Sequence, residues 1–578
     1  MKCLNCGAEL PEGAKFCGSC GASAMPPQEP VAEEQMNPAE TPVWNEETVA
    51  EAAAPAEEKA PSKVKLAMAA VAAKVKPVLA PVVEKCKPFV QKNKLYLTGA
   101  ACLVLMLVMV LIVVSIFTAG NGYTPFEHAI SAFVSNDGEV LLRYDNKKII
   151  KTGIEAESIG DTQVSIDGNV YAFLTSEDQL VVAKGKKVTV VSDDVTEFKL
   201  SVTGKGIGYV TENEDGEATL KLHKVGSKKS TTVLEDFNYA SYAMSPDGKS
   251  MAYFKYDSEN GESDLMFFNG SKHTKITSSK VVLVGLANKG KYIYAVGTND
   301  ENDTILYSYN TKGDKQKLGD CMSTAFCFNE DHTQVLFFDG NMSLSEGVEY
   351  KTYIATKGKE AKKVSSSLAT PMVPQGSEIF TQGVVATIPT DTLFNKVYSC
   401  FKDGQYNAWV IKKNVDKSSK LASNIDDAVL DASAEYLYYT DKDNDLKMLK
   451  ISHGDRASDK AKLIAEDVES FVVTSDRKRV YFVSEDSLYS VKGKSGKGKR
   501  TIASEDVART LVLNQDDICY YYVDGDVHAC SNGKKGKLVV ADAEKLYAYA
   551  NGVVYVETDD AMYATKTAKK PAKIYSEG

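Results

Sequence analysis

A mainly β fold, built from repeated four-stranded antiparallel units, is predicted for most of this 578-residue chain. The composition combines 30 Tyr and 20 Phe with 2 Trp and 17 Pro, and abundant aromatic residues with few prolines favour strands. After Tyr123, short runs of Val, Ile, Tyr and Phe alternate with Asp-Gly, Asn-Gly and Lys-Gly turns. That alternation is the pattern of successive β-hairpins. A third observation, the spacing of the hairpins, predicts how the units are arranged.

The hairpins recur at intervals of about forty residues, the length of one four-stranded repeat. When the strand that follows each polar turn is aligned, apolar positions fall in register: Val170, Ile207, Met251, Ile293, Val335, Leu437, Val480, Ile518 and Val553. A repeat that contains only strands and turns predicts a multi-bladed β-propeller over residues 126–578. The segment SPDGKSMAYF, which begins at Ser245, resembles the WD40-like repeats of TolB-type β-propellers. Ten or eleven units can be marked, so three alternatives stay open: one unusually large ring, two fused propellers, or some units that are not blades.

One stretch interrupts the period. Residues 369–400 lack the recurring turn and strand, and we interpret them as a degenerate unit with an inserted loop. Loops on a rigid scaffold often carry binding function.

The first twenty-two residues contain four regularly spaced cysteines in a C-x2-C-x10-C-x2-C pattern: Cys3, Cys6, Cys17 and Cys20. This spacing predicts two metal-binding turns whose four thiolates surround one structural Zn(II) ion. Residues 1–22 resemble the short zinc-ribbon modules found at the amino termini of many bacterial membrane proteins. Two disulfides or four free thiols are the alternatives. The ribbon has no basic surface, and the chain has a net charge of −10, so nucleic acid is not the expected partner.

Three further segments separate the ribbon from the β domain. Residues 23–62 are rich in Pro, Ala and Glu and predict a disordered linker. Residues 63–94 contain eight lysines and one acid, Glu84, which favours attraction to anionic lipid headgroups over a merely solvated helix. Residues 95–118 carry no charge and are long enough for one transmembrane helix. Because the lysines precede this helix, the N-terminus is expected in the cytoplasm and the β domain outside the cell membrane.

The β domain offers two local candidate sites. A basic hairpin tip, Lys492, Lys494, Lys497, Lys499 and Arg500, is a candidate contact for an anionic envelope polymer or lipid, with a solvated loop as the alternative. If Asp524-Gly525 forms a two-residue turn, Cys519 and Cys530 lie directly opposite each other and form a candidate disulfide. The bond would be strained, because cysteines at such a hydrogen-bonded pair are about 5.5 Å apart between Cα atoms.

The sequence predicts a binding or scaffold protein of the cell envelope, single-pass and membrane-anchored, with a protein or envelope polymer bound to the propeller. None of the six histidines has metal-ligand spacing with another, and no G-x-S-x-G motif is present, so enzymatic activity is left open and not favoured. Two alternatives are kept. One is an envelope hydrolase or lyase with its site in the propeller mouth. The other is a transmembrane sensor that couples outer ligand binding to the zinc ribbon.

Overall fold

A computed structural model describes residues 122–576 except 146, 238–240, 258–261, 279, 300, 323–324, 344–346, 515 and 566–570. The predicted zinc ribbon, linker, Lys-rich segment and transmembrane helix (1–22, 23–62, 63–94 and 95–118) lie outside the described residues. Within the part of the chain that the structure describes, no helix is long and apolar enough to cross a membrane.

The described residues form consecutive antiparallel sheets, which we number as units 1 to 11 in chain order. Units 1 to 4 contain β1 Ile130–Val134, β2 Glu139–Tyr144, β3 Ile150–Glu155; β4 Ile159–Val164, β5 Val170–Thr175, β6 Leu180–Lys184, β7 Lys187–Ser192; β8 Val195–Leu200, β9 Gly206–Glu212, β10 Ala218–Lys224, β11 Ser230–Leu234; β12 Tyr242–Met244, β13 Met251–Asp257, β14 Glu262–Phe268, β15 His273–Thr277. Units 5 and 6 contain β16 Val281–Leu286, β17 Ile293–Thr298, β18 Thr304–Tyr309, β19 Lys315–Asp320; β20 Phe326–Asn329, β21 Gln334–Ser343, β22 Gly347–Thr356, β23 Lys359–Ser365.

Units 7 and 8 belong to one seven-stranded sheet in which they share β29. Their strands are β24 Leu368–Pro371, β27 Lys396–Lys402, β28 Gln405–Ile411, β29 Ser419–Leu430, β30 Tyr436–Asp441, β31 Leu446–Lys450 and β32 Lys462–Ala465. Units 9 to 11 contain β33 Ser470–Val473, β34 Arg479–Ser484, β35 Ser487–Lys492, β36 Arg500–Ala503; β37 Val507–Leu513, β38 Cys519–Val523, β39 Asp526–Cys530, β40 Lys537–Val540; β41 Lys545–Ala548, β42 Val554–Thr558, β43 Ala561–Thr565, β44 Ala572–Ser576. Short 3-10 helices lie at Asn288–Gly290, Val415–Lys417, Ile451–Arg456 and Ser458–Lys460.

The recurring polar turn connects the first and second strands of a unit. In unit 4 the Ser245 hydroxyl donates to the Asp247 carboxylate at 2.8 Å and accepts the Ser250 backbone N–H at 3.0 Å. Gly248 follows with φ +67°, a conformation that glycine adopts without a Cβ clash. The turn therefore fixes where the second strand begins, which explains why its sequence recurs.

The nine aligned apolar positions lie at or next to the start of the second strand of units 2 to 6 and 8 to 11, not at the first strand as the sequence alignment assumed. Val170 begins β5, Met251 begins β13 and Ile293 begins β17, and all three side chains are buried. Each unit therefore starts one strand earlier, with a short strand such as Tyr242–Met244. Several first strands, such as β4, β8 and β16, pair with the second strand through register shifts, so they give no periodic signal.

Neighbouring units pack face to face through apolar clusters, and the last unit packs against the first. Units 1 and 2 share a buried cluster that includes Val140, Phe173 and Val181. Units 11 and 1 share another that includes Val553, Met562 and Ala129. The mainly β fold of four-stranded antiparallel sheets is thus confirmed, and its closed circuit of packed sheets is the arrangement that a β-propeller requires.

The predicted insertion within residues 369–400 is confirmed as a hairpin, β25 (Phe380–Gln382) and β26 (Val385–Ile388). It leaves unit 7, and β26 pairs in parallel with β20 of unit 6. Its tip reaches units 2 and 3, where the Gln382 side chain donates to Gln163 Oε1 at 2.9 Å and to the Leu200 carbonyl at 3.2 Å. The insertion therefore crosses the interior of the circuit.

Candidate functional site

A cavity of about 1010 Å³ lies where the first strands of units 8 to 11 meet the inserted segment. We call it the central cavity. Its walls are formed by residues 428–430, 432, 472–473, 475, 511–514, 517 and 548–552 of the four units, with 372–377 of the insertion and 125–127 of the N-terminal approach. The inserted segment of this wall continues into the hairpin that contacts units 2, 3 and 6.

The walls of the central cavity are mostly apolar. Val429, Val472, Leu511 and Leu513 are half-buried there, because they stand on first strands whose outer neighbours cover them on one side. A ligand that covers half-exposed aliphatic groups removes them from water, which stabilises the complex by about 25 cal/mol per Å² of apolar surface buried. The cavity can therefore bind an apolar ligand segment.

Polar groups of the wall are mostly engaged within the protein. The Gln375 backbone N–H donates to the Leu430 carbonyl at 3.1 Å, and its side-chain amide donates to the Val473 carbonyl at 3.3 Å. Asp517 accepts the Ser475 backbone N–H at 2.6 Å and hydroxyl at 3.0 Å. The Gln375 contacts hold the inserted segment against units 8 and 9, and the Ser475–Asp517 contacts join units 9 and 10.

The ionisable side chains that line the described part of the cavity are Glu127, Asp517 and Tyr549. Glu127 is exposed, whereas Asp517 is engaged by Ser475. General acid–base catalysis on glycans uses a pair of positioned carboxyl groups, and the two carboxyl groups of this lining are those of Glu127 and Asp517.

A histidine with an acidic partner lies beside the cavity, at the contact between units 11 and 1. His128 Nδ1 is 3.0 Å from Asp145 Oδ2, and Asp145 Oδ1 also accepts the Asn551 amide at 3.2 Å. Asn551 lines the cavity, but His128 does not. The pair joins the first and last units and does not face the cavity.

The basic hairpin tip is at the loop between β35 and β36. Lys492, Lys494, Lys497, Lys499 and Arg500 are all exposed. The Lys499 ammonium lies 4.2 Å from the Tyr489 ring centroid, which is cation–π distance. None of the five lines the central cavity, so the contact with an anionic polymer or lipid stays a prediction.

Cys519 and Cys530 pair directly across β38 and β39, around an Asp524-Gly525 turn with positive φ at both residues. Both are free thiols in this structure and both are buried. Burial raises the pKa of the Cys519 thiol, which slows oxidation because the thiolate is the reactive form. The disulfide itself stays a prediction.

The predicted zinc ligands Cys3, Cys6, Cys17 and Cys20 lie outside the described residues. In the described part of the chain, no group of His, Cys, Asp and Glu is arranged to hold a metal ion. The central cavity was not found from the sequence. The one sequence feature that pointed toward the cavity was the interrupted repeat at 369–400. It indicated the insertion, but it did not indicate which strands the insertion contacts.

Comparison with known proteins identifies the N-terminal module. The family model of the zinc-ribbon domain matches residues 2–24, which confirms the zinc ribbon predicted there. No curated protein sequence matches the chain.

Solved structures similar to this chain have low identity. A eukaryotic initiation factor is 11% identical over 65% of this chain and 97% of its own, with a TM-score of 0.37. The β-propeller domain of the Trilobed protease from Pyrococcus furiosus is 12% identical over 60% and 96%, with a TM-score of 0.25. TolB from Acinetobacter baumannii is 12% identical over 50% and 78%, with a TM-score of 0.25. Likenesses at this level do not assign a function to the chain.

Proposed function

We propose that this chain is a membrane-anchored binding protein of the cell envelope, whose β-propeller holds an apolar segment of a partner in the central cavity. The observation that carries the proposal is the cavity itself, with about 1010 Å³ of space and half-buried aliphatic walls. Sites of this kind combine apolar walls with a few polar groups that fix orientation. The partner is a protein or an envelope polymer with an uncharged, partly apolar stretch.

The membrane arrangement rests on the sequence. Residues 95–118 form the single transmembrane helix, residues 63–94 lie at the cytoplasmic headgroups, and residues 126–578 are extracytoplasmic. The basic hairpin tip at 492–500 is a second contact for anionic lipid or polymer, because each lysine near an anionic surface contributes about 1 kcal/mol to the binding free energy.

The zinc ribbon is the cytoplasmic module. Cys3, Cys6, Cys17 and Cys20 would hold one Zn(II) ion, and four soft thiolates at this spacing fit its tetrahedral preference. A twenty-residue module has too small a core to fold alone, so the bound ion would supply its folding free energy. A closed four-thiolate site leaves no open position for catalysis, which favours a structural role.

The binding proposal is tested by capture from envelope extracts with the full-length protein in detergent. We expect Val472→Arg to abolish capture of the partner, because the charged side chain must occupy the apolar wall. Leu538→Arg is the matched control, because Leu538 is 56% exposed on the outer strand β40. Equal capture by both variants and the unmodified protein would show that the cavity is not the binding site.

The membrane arrangement is tested by protease treatment of intact spheroplasts. We expect residues after about 120 to be digested and an N-terminal epitope to survive until the membrane is permeabilised. Digestion of the epitope in intact spheroplasts would reverse the proposed orientation.

The zinc assignment is tested by metal analysis of the full-length protein. We expect one zinc per chain, lost in a Cys3→Ser/Cys6→Ser variant and retained in a Cys519→Ser variant. Equal zinc content in the two variants would contradict the assignment.

A further inference from the structure

A second cavity, of about 340 Å³, lies between units 6 and 7 and is separate from the central cavity. We call it the Trp409 pocket. Its volume is within the roughly 300–1000 Å³ range of small-molecule sites. Trp409 is the one tryptophan outside the N-terminal linker, since the chain has 2 and the other is Trp44.

The β27–β28 hairpin supplies one wall of the pocket. Cys400 pairs with Asn407 and Tyr398 pairs with Trp409 across the two strands, so alternation puts the Cys400, Lys402, Asn407 and Trp409 side chains on one face. Trp409 is half-buried against the apolar cluster shared by units 6 and 7. The structure gives its indole N–H no hydrogen-bond partner among the described residues, so this donor is available to a ligand.

The opposite wall is a run of three serines, residues 365–367, that begins at the last residue of β23. The Ser365 and Ser367 hydroxyls lie 2.9 Å apart and hydrogen-bond each other, while the Ser367 carbonyl accepts the Thr352 hydroxyl at 2.6 Å. Burial raises the pKa of Cys400 to about 12, which the two serine hydroxyls partly oppose. The thiol at the base of the pocket is therefore neutral, and the hydroxyls remain as polar contacts.

The charge of the pocket is positive in a protein whose net charge is −10. Lys402 and Lys420 both line it and are exposed, and no acidic side chain does. Among the described residues neither ammonium takes part in an ion pair. The carboxylate of Asp455 is near Lys420 but accepts its backbone N–H at 3.0 Å.

We propose that the Trp409 pocket binds an anionic sugar, a pyranose ring that carries a carboxylate or phosphate group. The C–H face of the ring stacks on the Trp409 indole, an aromatic surface with one polar tip. The serine hydroxyls and the Asn407 amide bond the sugar hydroxyls. Lys402 and Lys420 hold the anion, since hydrogen bonds between ionised groups are about twice as strong as neutral ones. This site does not depend on the ligand of the central cavity.

The test uses the full-length protein in detergent with Trp44→Phe, so that Trp409 is the sole tryptophan reporter. We expect saturable changes in its emission with trigalacturonate and with glucose 6-phosphate, and about tenfold weaker binding of glucose, a difference of roughly 1.4 kcal/mol. Inorganic phosphate and acetate should produce no change. Comparison of the affinities for the two sugars shows whether the pocket prefers a carboxylate or a phosphate group. Binding of glucose as tight as that of both anionic sugars, or no saturable response to either, would overturn the proposal.

Lysine variants test the anion contact. We expect Lys402→Gln/Lys420→Gln to weaken binding of the anionic sugar about tenfold or more, whereas Lys417→Gln, an exposed lysine outside the pocket, should leave it unchanged. An unaltered thermal midpoint would confirm that the double variant is folded. Equal affinity of the two variants would overturn the role of the lysines.

Aromatic variants test the stacking contact by calorimetry. Trp409→Leu should lose the sugar, while Tyr406→Leu should retain it, because Tyr406 is 50% exposed on the opposite face of the same hairpin. Equal loss in both would show that the hairpin, and not the indole, is responsible.

Discussion

The contact between units 1 and 2 differs in kind from the contact that joins unit 11 to unit 1. The first is mainly apolar, with Phe173 and Val181 completely buried. The second, which we call the closing seam, adds a charged side chain among aromatic rings. The Arg143 guanidinium lies 4.9 Å from the Phe133 ring centroid, 5.4 Å from Tyr547 and 5.8 Å from Tyr555.

Further polar contacts cross the closing seam. Arg143 donates to Glu557 at 3.1 Å, and the Tyr549 hydroxyl donates to Ser131 at 2.9 Å. Arg143 and Glu557 are 414 residues apart in sequence, whereas units 1 and 2 are joined by a short connection. Apolar burial is non-directional and suffices where the chain already holds two sheets together. The seam has no such tether, so directional contacts specify which faces meet.

The largest expected effect is at the apolar contact. Phe173→Ala should lower the free energy of unfolding by about 4 kcal/mol, because it removes a fully buried ring and leaves a cavity. Urea unfolding of the protein measures this loss. The matched control is Tyr256→Ala, whose ring is 48% exposed and should cost little. A loss at Phe173 as small as that of the control would show that apolar packing does not dominate this contact.

At the closing seam, Arg143→Met should cost about 3 kcal/mol, because it removes the cation nearest to the partly buried Glu557 and the contacts of the guanidinium with the aromatic rings. Glu557 keeps the Lys545 ammonium at 3.9 Å and the Tyr547 hydroxyl at 2.6 Å. Arg143 and Glu557 side chains are 13% and 20% exposed. Arg509→Met is the control: its ion pair with Glu469 is shorter, at 2.8 Å, but Arg509 is 75% exposed, and such pairs contribute less than about 1 kcal/mol. Similar losses by urea unfolding would mean that the seam ion pair behaves like a surface one.

A smaller effect concerns the contact between units 5 and 6, which contains a buried histidine. His332 Nδ1 donates to the Leu286 carbonyl at 3.1 Å, and Nε2 accepts the hydroxyl of Thr387 in the inserted hairpin at 2.9 Å. Burial lowers the pKa of His332 to about 4, against about 6.5 in an unfolded chain. The unfolded state therefore binds more protons between these values, and stability falls as pH drops from about 6.5 to about 4.

The expected loss from His332 between pH 7 and pH 5 is about 2 kcal/mol. It is measured as the difference in pH dependence between the unmodified protein and His332→Asn, since asparagine tolerates the φ of 56° at this position. Carboxylates titrate equally in both proteins and cancel. Parallel stability curves over this pH range would show that His332 is not a source of the slope.

The repeating second strands could be predicted from the sequence because the turn chemistry of residues such as Ser245 and Gly248 fixes them locally. The opposed positions of Cys519 and Cys530 followed from the two-residue turn for the same reason. The first strands could not be predicted, because their pairing with the second strands contains register shifts, as in β16 and β37, that break a regular pattern. The central cavity and the closing seam depend on residues that meet only after the circuit closes, such as Gln375 with Val473 and Arg143 with Glu557. No local sequence pattern predicts such pairs.

Units 7 and 8 share β29, which couples the local unfolding of the two units. Its N-terminal half pairs with β28 and its C-terminal half with β30, with an irregularity between Ile425 and Ala428. Apart from the pairing of β26 with β20 of unit 6, each of the other units contains its own strands and can open on its own, as locally cooperative segments do. Units 7 and 8 cannot open separately, because the opening of either unit removes backbone hydrogen-bond partners from β29, which both units contain. Amide hydrogen exchange should therefore find these two as a single kinetic block, with one common opening free energy.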